Sequence, residues 1–122
     1  MAVTTSTASD PLVTTIVTDA DSDTTVETAA SAAQFLYFVE ITNPNKSAVY
    51  TKIFASGGGS TTQNQHYLQL YCPAGSSCYM YIPASLAIAN GIQFYSTINA
   101  GAINSQTNPT SDVTVRIGCT AQ

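Results

Sequence analysis

Beyond residue 33, apolar and polar residues alternate with a period of two, and no long apolar stripe recurs at helical spacing. Phe35, Tyr37, Val39 and Ile41 alternate with Leu36, Phe38, Glu40 and Thr42, giving a strand apolar on nearly both faces and expected at the centre of a sheet. Residues 43–47, Asn-Pro-Asn-Lys-Ser, read as a turn by their Pro and Asn content. Val49, Thr51 and Ile53 then alternate with Tyr50, Lys52 and Phe54, and three glycines at 57–59 open a polar loop running to about Gln65. His66, Leu68, Leu70 and Cys72 share one phase, with Tyr67, Gln69 and Tyr71 opposite. After a hairpin connection at 73–77, Cys78, Met80 and Ile82 return with Tyr79 and Tyr81 opposite. Past Pro83 the alternation lapses, leaving room for one helical turn at 84–89. Ile92, Phe94, Ser96 and Ile98 form the next strand, a loop follows at 99–111, and Val113, Val115, Ile117 and Cys119 close with the cleanest alternation. Six short strands at fairly regular spacing, with one or two upstream, predict an all-β chain forming a single β-sandwich or jelly-roll-like domain.

Residues 1–33 differ in kind. They hold nine threonines, five of the seven acidic residues and no aromatic residue. Their large aliphatics are Val3, Leu12, Val13, Ile16, Val17 and Val26. Such a segment buries too little apolar surface to offset its own ordering entropy. The expected organisation is an extended arm over 1–33, strand-prone near 11–18 and 24–28, and a β-sandwich over 34–122. Leu12, Val13, Ile16 and Val17 are the residues expected to anchor the arm on a neighbouring protein.

Composition adds a second argument for assembly. Only 8% of the 122 residues are charged, against roughly 25% in average soluble domains. A chain kept soluble by its own charge does not have this balance, whereas one largely covered by neighbours can. The net charge of −4 and three basic residues, Lys46, Lys52 and Arg116, are too few for the roughly six to ten phosphates of a DNA footprint. No apolar run reaches the roughly 18 residues of a membrane span, and the N-terminus has neither a basic nor an apolar leader region. The expectation is cytoplasmic synthesis, with no nucleic-acid and no membrane partner. Cys72, Cys78 and Cys119 provide no second pair for a zinc site. A Cys72–Cys78 disulfide needs the two positions to face each other across a hairpin, while reduced thiols suit cytoplasmic synthesis.

Candidate chemistry is sparse, and the expectation is a protein that is not an enzyme and takes no cofactor. His66 is the sole histidine and lies in phase with Leu68 and Leu70, which suits a strand residue better than a general base. Glu40 has no acidic neighbour in sequence, and Asp112 reads as a turn residue before the last strand. The glycines at 57–59 lack the lysine and helix of a phosphate loop. Asp19, Asp21 and Asp23 resemble the opening of a calcium loop, but Thr24 and Ala30 stand where an EF-hand needs Gly and Glu. A solvated acidic turn fits better. More informative, Tyr50, Tyr67, Tyr71, Tyr79, Tyr81 and Tyr95 all lie out of phase with the aliphatic positions of their strands. They should line a face opposite the core, as a protein interface, as a sugar-stacking platform or beneath the chain's own arm.

Several stretches resemble small virion proteins of tailed bacteriophages. These are Phe38-Val-Glu-Ile-Thr-Asn43, Ala48-Val-Tyr-Thr-Lys-Ile-Phe54, Pro73-Ala-Gly75 leading to Ile82-Pro83, and Ser111-Asp-Val-Thr-Val-Arg116. The likeness spans roughly residues 35–118; the cysteines and the Tyr-rich middle strands depart from it. It implies a capsid cement (decoration) protein, β-rich and trimeric, on the capsid exterior with the major capsid protein and other copies of itself as partners. A phage tail or fibre protein, or a receptor (glycan)-binding β module, is the alternative reading.

Overall fold

Nine strands are present in the computed structural model, which describes residues 3–7, 13–55, 68–101 and 106–122. They are β1 (Val3–Thr7), β2 (Thr15–Ser22), β3 (Glu27–Ala30), β4 (Gln34–Asn43), β5 (Val49–Ala55), β6 (Leu68–Cys72), β7 (Ser76–Ile88), β8 (Ile92–Thr97) and β9 (Val113–Ala121). Leu12, the glycines at 57–59, His66 and Tyr67 lie outside the described residues. One antiparallel sheet has the order β1-β2-β9-β4-β7, and the other β3-β8-β5-β6. Chain order threads the two alternately: except for β1–β2 and β5–β6, each strand is followed by one in the opposite sheet. With β1 added at one edge, this is the eight-stranded jelly-roll arrangement.

The predicted phases hold on β5, β6, β7, β8 and β9, whose aliphatic positions face between the sheets. Ile53, Phe94, Val115 and Ile117 are fully buried there and meet Leu36, Val39, Ile41 and Ile88 in one core. On β4 the phase changes partway. A register shift between Leu36 and Phe38 sends Leu36 inward with Val39 and Ile41, and Phe38 outward. Period-two reading cannot see such a bulge, because the extra residue is visible only against the partner strands.

Two expectations are corrected. Residues 84–88 form no helical turn; they continue β7, with Leu86, Ala87 and Ile88 paired to Leu36, Phe35 and Gln34. The interruption is a wide bulge around Pro83, which has no N–H to give the ladder, and Ser85 at φ 62°. Nor does the compositional boundary at residue 33 divide the fold. β2 pairs with β9 and β3 with β8, so residues 15–30 belong to the sandwich. They order because they borrow a core: Val17 lies opposite Ile117 and is fully buried. Among the described residues, what remains of an extended arm is β1, an edge strand paired only with β2.

At one end, three connections are tied together by two buried asparagines. The Asn43 amide donates to the carbonyls of Ser47 (3.0 Å), Cys72 (3.2 Å) and Pro73 (3.0 Å). Its oxygen accepts from the backbone (3.0 Å) and side-chain (2.9 Å) nitrogens of Asn45. Asn45 in turn donates to Ser111 O (3.1 Å) and accepts from Ser111 N (2.6 Å) and Thr110 Oγ1 (3.0 Å). Its own carbonyl accepts from Gly75 N at 2.9 Å. The β4–β5 turn, the β6–β7 turn and the approach to β9 are thereby fixed to one another. Asn45→Ala would strand several of these groups and should cost about 3 kcal/mol in denaturant unfolding. Lys46→Ala, at an exposed position of the same turn, should change stability by less than about 0.5 kcal/mol.

Candidate interaction surface

Outward residues of the β1-β2-β9-β4-β7 sheet fall into rows that cross all five strands. One row runs Ser6, Ile16, Gly118, Phe38, Tyr81; the next runs Thr4, Thr18, Arg116, Glu40, Tyr79. Gly118 has a specific reason to be glycine. The Phe38 ring lies across it, and a Cβ at that position would overlap the ring. The ring therefore lies over β9, between Ile16 and Tyr81 in the row. In the second row Arg116 Nη1 and Glu40 Oε2 are 2.6 Å apart with both side chains 41% exposed, so the pair adds at most about 1 kcal/mol. Its main effect is to neutralise the two charges of that part of the face. Tyr79 (69% exposed) and Tyr81 (55%) stand at the β7 end of these rows.

The expected tyrosine face is divided. Tyr71, 56% exposed, pairs with Tyr50 across β5 and β6, their ring centroids 5.5 Å apart, on the outside of the other sheet. Tyr50, Tyr71, Tyr79 and Tyr81 do sit out of phase with the core positions of their strands, but β6 and β7 belong to different sheets and their outer faces point in opposite directions. Tyr95 is no surface residue. It is fully buried, stacked on Phe54 at 5.4 Å and beneath the Lys52 ammonium at 5.6 Å. Burial pushes its phenol up to about 12.

Lys52 points outward from β5 yet is also fully buried. Its ammonium donates to the Gly101 carbonyl and to Gln106 Oε1 (3.3 Å), while Gly101 N donates to Gln69 at 2.7 Å. The outer face of β5 and β8 is thus covered by the loop that follows β8, and not by the N-terminal arm. Burial pulls the Lys52 amine below its ordinary value. Among the expected arm anchors, Val13 and Val17 are buried within this chain's own fold and are closed to a partner. Ile16 alone of the described three reaches the outer face, half-buried in the aromatic row.

The three aspartates do not converge as a calcium loop requires. Asp19 points between the sheets and is fully buried. Its Oδ1 accepts from Asp21 N at 3.2 Å, and its Oδ2 has no hydrogen-bond partner among the described residues. Desolvation, with the charges of Asp21 and Glu27 adding to it, pushes this carboxyl up to about 7. Near it a hydroxyl chain, Ser22 to Ser96 (2.8 Å) to Thr51 (2.9 Å), joins the two sheets through the interior. Asp21 and Asp23 instead line a polar cleft of about 160 Å³ with Asn108, Ser111 and Asp112. Among the described residues, no three His, Cys, Asp or Glu side chains are grouped to hold a metal ion, and no helix is long and apolar enough to cross a membrane.

No protein-family model matches this chain, and no curated protein matches it.

The position of Asp19 makes stability depend on pH. Taking 3.8 as the unfolded value, the folded chain keeps a proton that the unfolded chain has released between about pH 3.8 and 7. Stability should fall across that window and level off above it. Asn in place of Asp19 keeps the shape without the ionisation. Asp19→Asn should therefore raise the thermal midpoint clearly at pH 8 and leave it nearly unchanged at pH 4, as measured by circular-dichroism melts.

Proposed function

We propose that the protein is a non-catalytic structural subunit of a bacteriophage virion, a cement protein that binds the outside of the major capsid protein shell. The observation that carries this reading is the row of Ile16, Phe38 and Tyr81 beside Tyr79 on a sheet face where, among the described residues of these rows, the only charges are Arg116 and Glu40, which neutralise each other. Rigid aromatic bodies with polar tips suit the centre of a protein interface, where charge is depleted. Jelly rolls serve in viral capsids and also in lectins, so the fold agrees with this reading without deciding it. The resemblance over residues 35–118 and the scarcity of charge point the same way.

Size supports a multimer. Five strands at ~4.8 Å spacing and about six residues at ~3.3 Å rise give a face of roughly 500 Å². A stable interface buries about 800 Å² per partner. One such face is too small to hold a subunit on a shell under internal pressure, whereas three linked copies multiply their attachment. β1, with one side of its backbone ladder unpaired, adds main-chain hydrogen bonds to an edge on a neighbouring subunit.

The reading is tested with undecorated capsids of the phage that encodes the chain. The purified protein should bind them saturably and raise their resistance to heat and osmotic shock. Tyr79→Ala with Tyr81→Ala should weaken binding at least tenfold while the folded spectrum is retained. Removing residues 1–12 deletes β1 but keeps β2 in its sheet, and should lower retention by a smaller factor. Absence of capsid binding overturns the proposal. If the same tyrosine variant instead loses saturable binding of the isolated protein to a glycan, the exposed rings are a receptor-binding platform.

A further inference from the structure

The corner at which the chain passes from one sheet to the other between β6 and β7 carries two cysteines. Cys72 ends β6, fully buried, and its thiol approaches Ser76 O at 3.3 Å and Ile41 O at 3.9 Å. Cys78 is half-buried on β7, in register with the same Ile41, and packs against the core. Both side chains point inward at the flank where β6 and β7 form the adjoining edges of the two sheets. Cys72 Sγ thus lies beside the carbonyl of the β4 residue that pairs with Cys78, which places the two cysteines next to each other at this corner. Cys119, the third cysteine, is buried in the core on β9, between β2 and β4.

We propose that Cys72 and Cys78 are a redox pair that closes into an intrachain disulfide when the protein meets a disulfide oxidant, and thereby staples the two sheets together. The chemistry is thiol–disulfide exchange with glutathione disulfide as oxidant. The Cys78 thiolate attacks one sulfur of glutathione disulfide, forming a mixed disulfide and releasing one glutathione thiolate. The Cys72 thiolate then attacks the Cys78 sulfur, forming the Cys72–Cys78 bond and releasing the second glutathione. Two protein thiols lose two protons and two electrons, and one glutathione disulfide becomes two glutathiones. Burial pushes the Cys72 thiol up to about 12, so half-buried Cys78 meets the oxidant first and Cys72 resolves the adduct.

The geometry suits a staple rather than a rearrangement. The turn that joins the two strands is already held by Asn43, which donates to Cys72 O and Pro73 O, and by Asn45, which accepts from Gly75 N. The anchored turn thus keeps the two cysteines beside each other. In a reducing cytoplasm the thiols stay free, and in an oxidising exterior the bridge adds stability.

Trypsin separates the relevant thiols, because the chain's basic residues are Lys46, Lys52 and Arg116. The fragment 53–116 holds Cys72 and Cys78, and the fragment 117–122 holds Cys119. The full-length protein is equilibrated with glutathione disulfide in native buffer, then alkylated in denaturant, so that access of the alkylating reagent is not limiting, and digested. The proposal expects fragment 53–116 to be lighter by about 2 Da than its reduced form and to take no alkyl group, with Cys119 alkylated. The oxidised protein should melt roughly 5–10 °C above the reduced protein, and Cys78→Ser should abolish that difference. Two alkylated cysteines in fragment 53–116, two stable glutathione adducts, or a bridge to Cys119 would each overturn it. So would a Cys72–Cys78 bridge that lowers the melting point.

Discussion

The buried amides of Asn43 and Asn45 hold one end of the sandwich, and the path of the chain through both sheets depends on them. A jelly roll crosses between its sheets at nearly every connection, and each crossing exposes backbone groups that no ladder can pair. Here three such connections share one solution. Asn43 takes the carbonyls of Ser47, Cys72 and Pro73, and Asn45 takes both backbone groups of Ser111. Both side chains are buried, Asn43 at 1% and Asn45 at 2% exposure. Buried amides with every group satisfied specify geometry, whereas apolar residues of the same size would take these partners from six backbone groups.

From that anchored end the remaining features follow in sequence. The fixed β6–β7 turn sets Cys72 beside Cys78 and sends Tyr71 and Tyr79 to opposite outer faces. The fixed approach to β9 sets the register that places Gly118 beneath Phe38 and Arg116 beside Glu40. Away from the knot, the interior is less economical. Among the described residues, Asp19 leaves one carboxyl oxygen without a partner, and Lys52 is buried with a carbonyl and an amide in place of a counter-charge. Both groups are moved by burial toward their neutral forms, which is the expected response to desolvation.

What could be read from the sequence was whatever depended on neighbours two residues away. Val113, Val115, Ile117 and Cys119 had to share a face, and they do. What could not be read depended on partners far along the chain. The bulge at Tyr37 exists only relative to β9 and that around Pro83 only relative to β4, and the order of residues 15–30 exists only because β9 and β8 supply the core they lack. Tyr95 reads as an outer-face residue because it sits out of phase, yet Gly101 and Gln106, far along the chain from Lys52, cover the face that Lys52 and Tyr95 share. The Asn-Pro-Asn turn was legible as a turn. Its role was not, since a surface turn and a buried amide knot have the same composition.

Charge placement bears on the kind of binding such a surface would perform in the proposed role. Of the three basic residues, Lys52 is buried, Arg116 is paired with Glu40, and Lys46 is exposed on the Asn-anchored turn. The acidic residues concentrate elsewhere, with Asp21, Asp23 and Asp112 around the polar cleft. The aromatic rows therefore lie on a face with little local field. Long-range steering, which speeds encounters between oppositely charged patches, has nothing to act on there. Attachment through Ile16, Phe38, Tyr79 and Tyr81 would form without electrostatic acceleration and gain its strength from slow dissociation, through area and multiplicity. That kinetic character fits a subunit added once to a finished assembly better than one that must bind and release repeatedly.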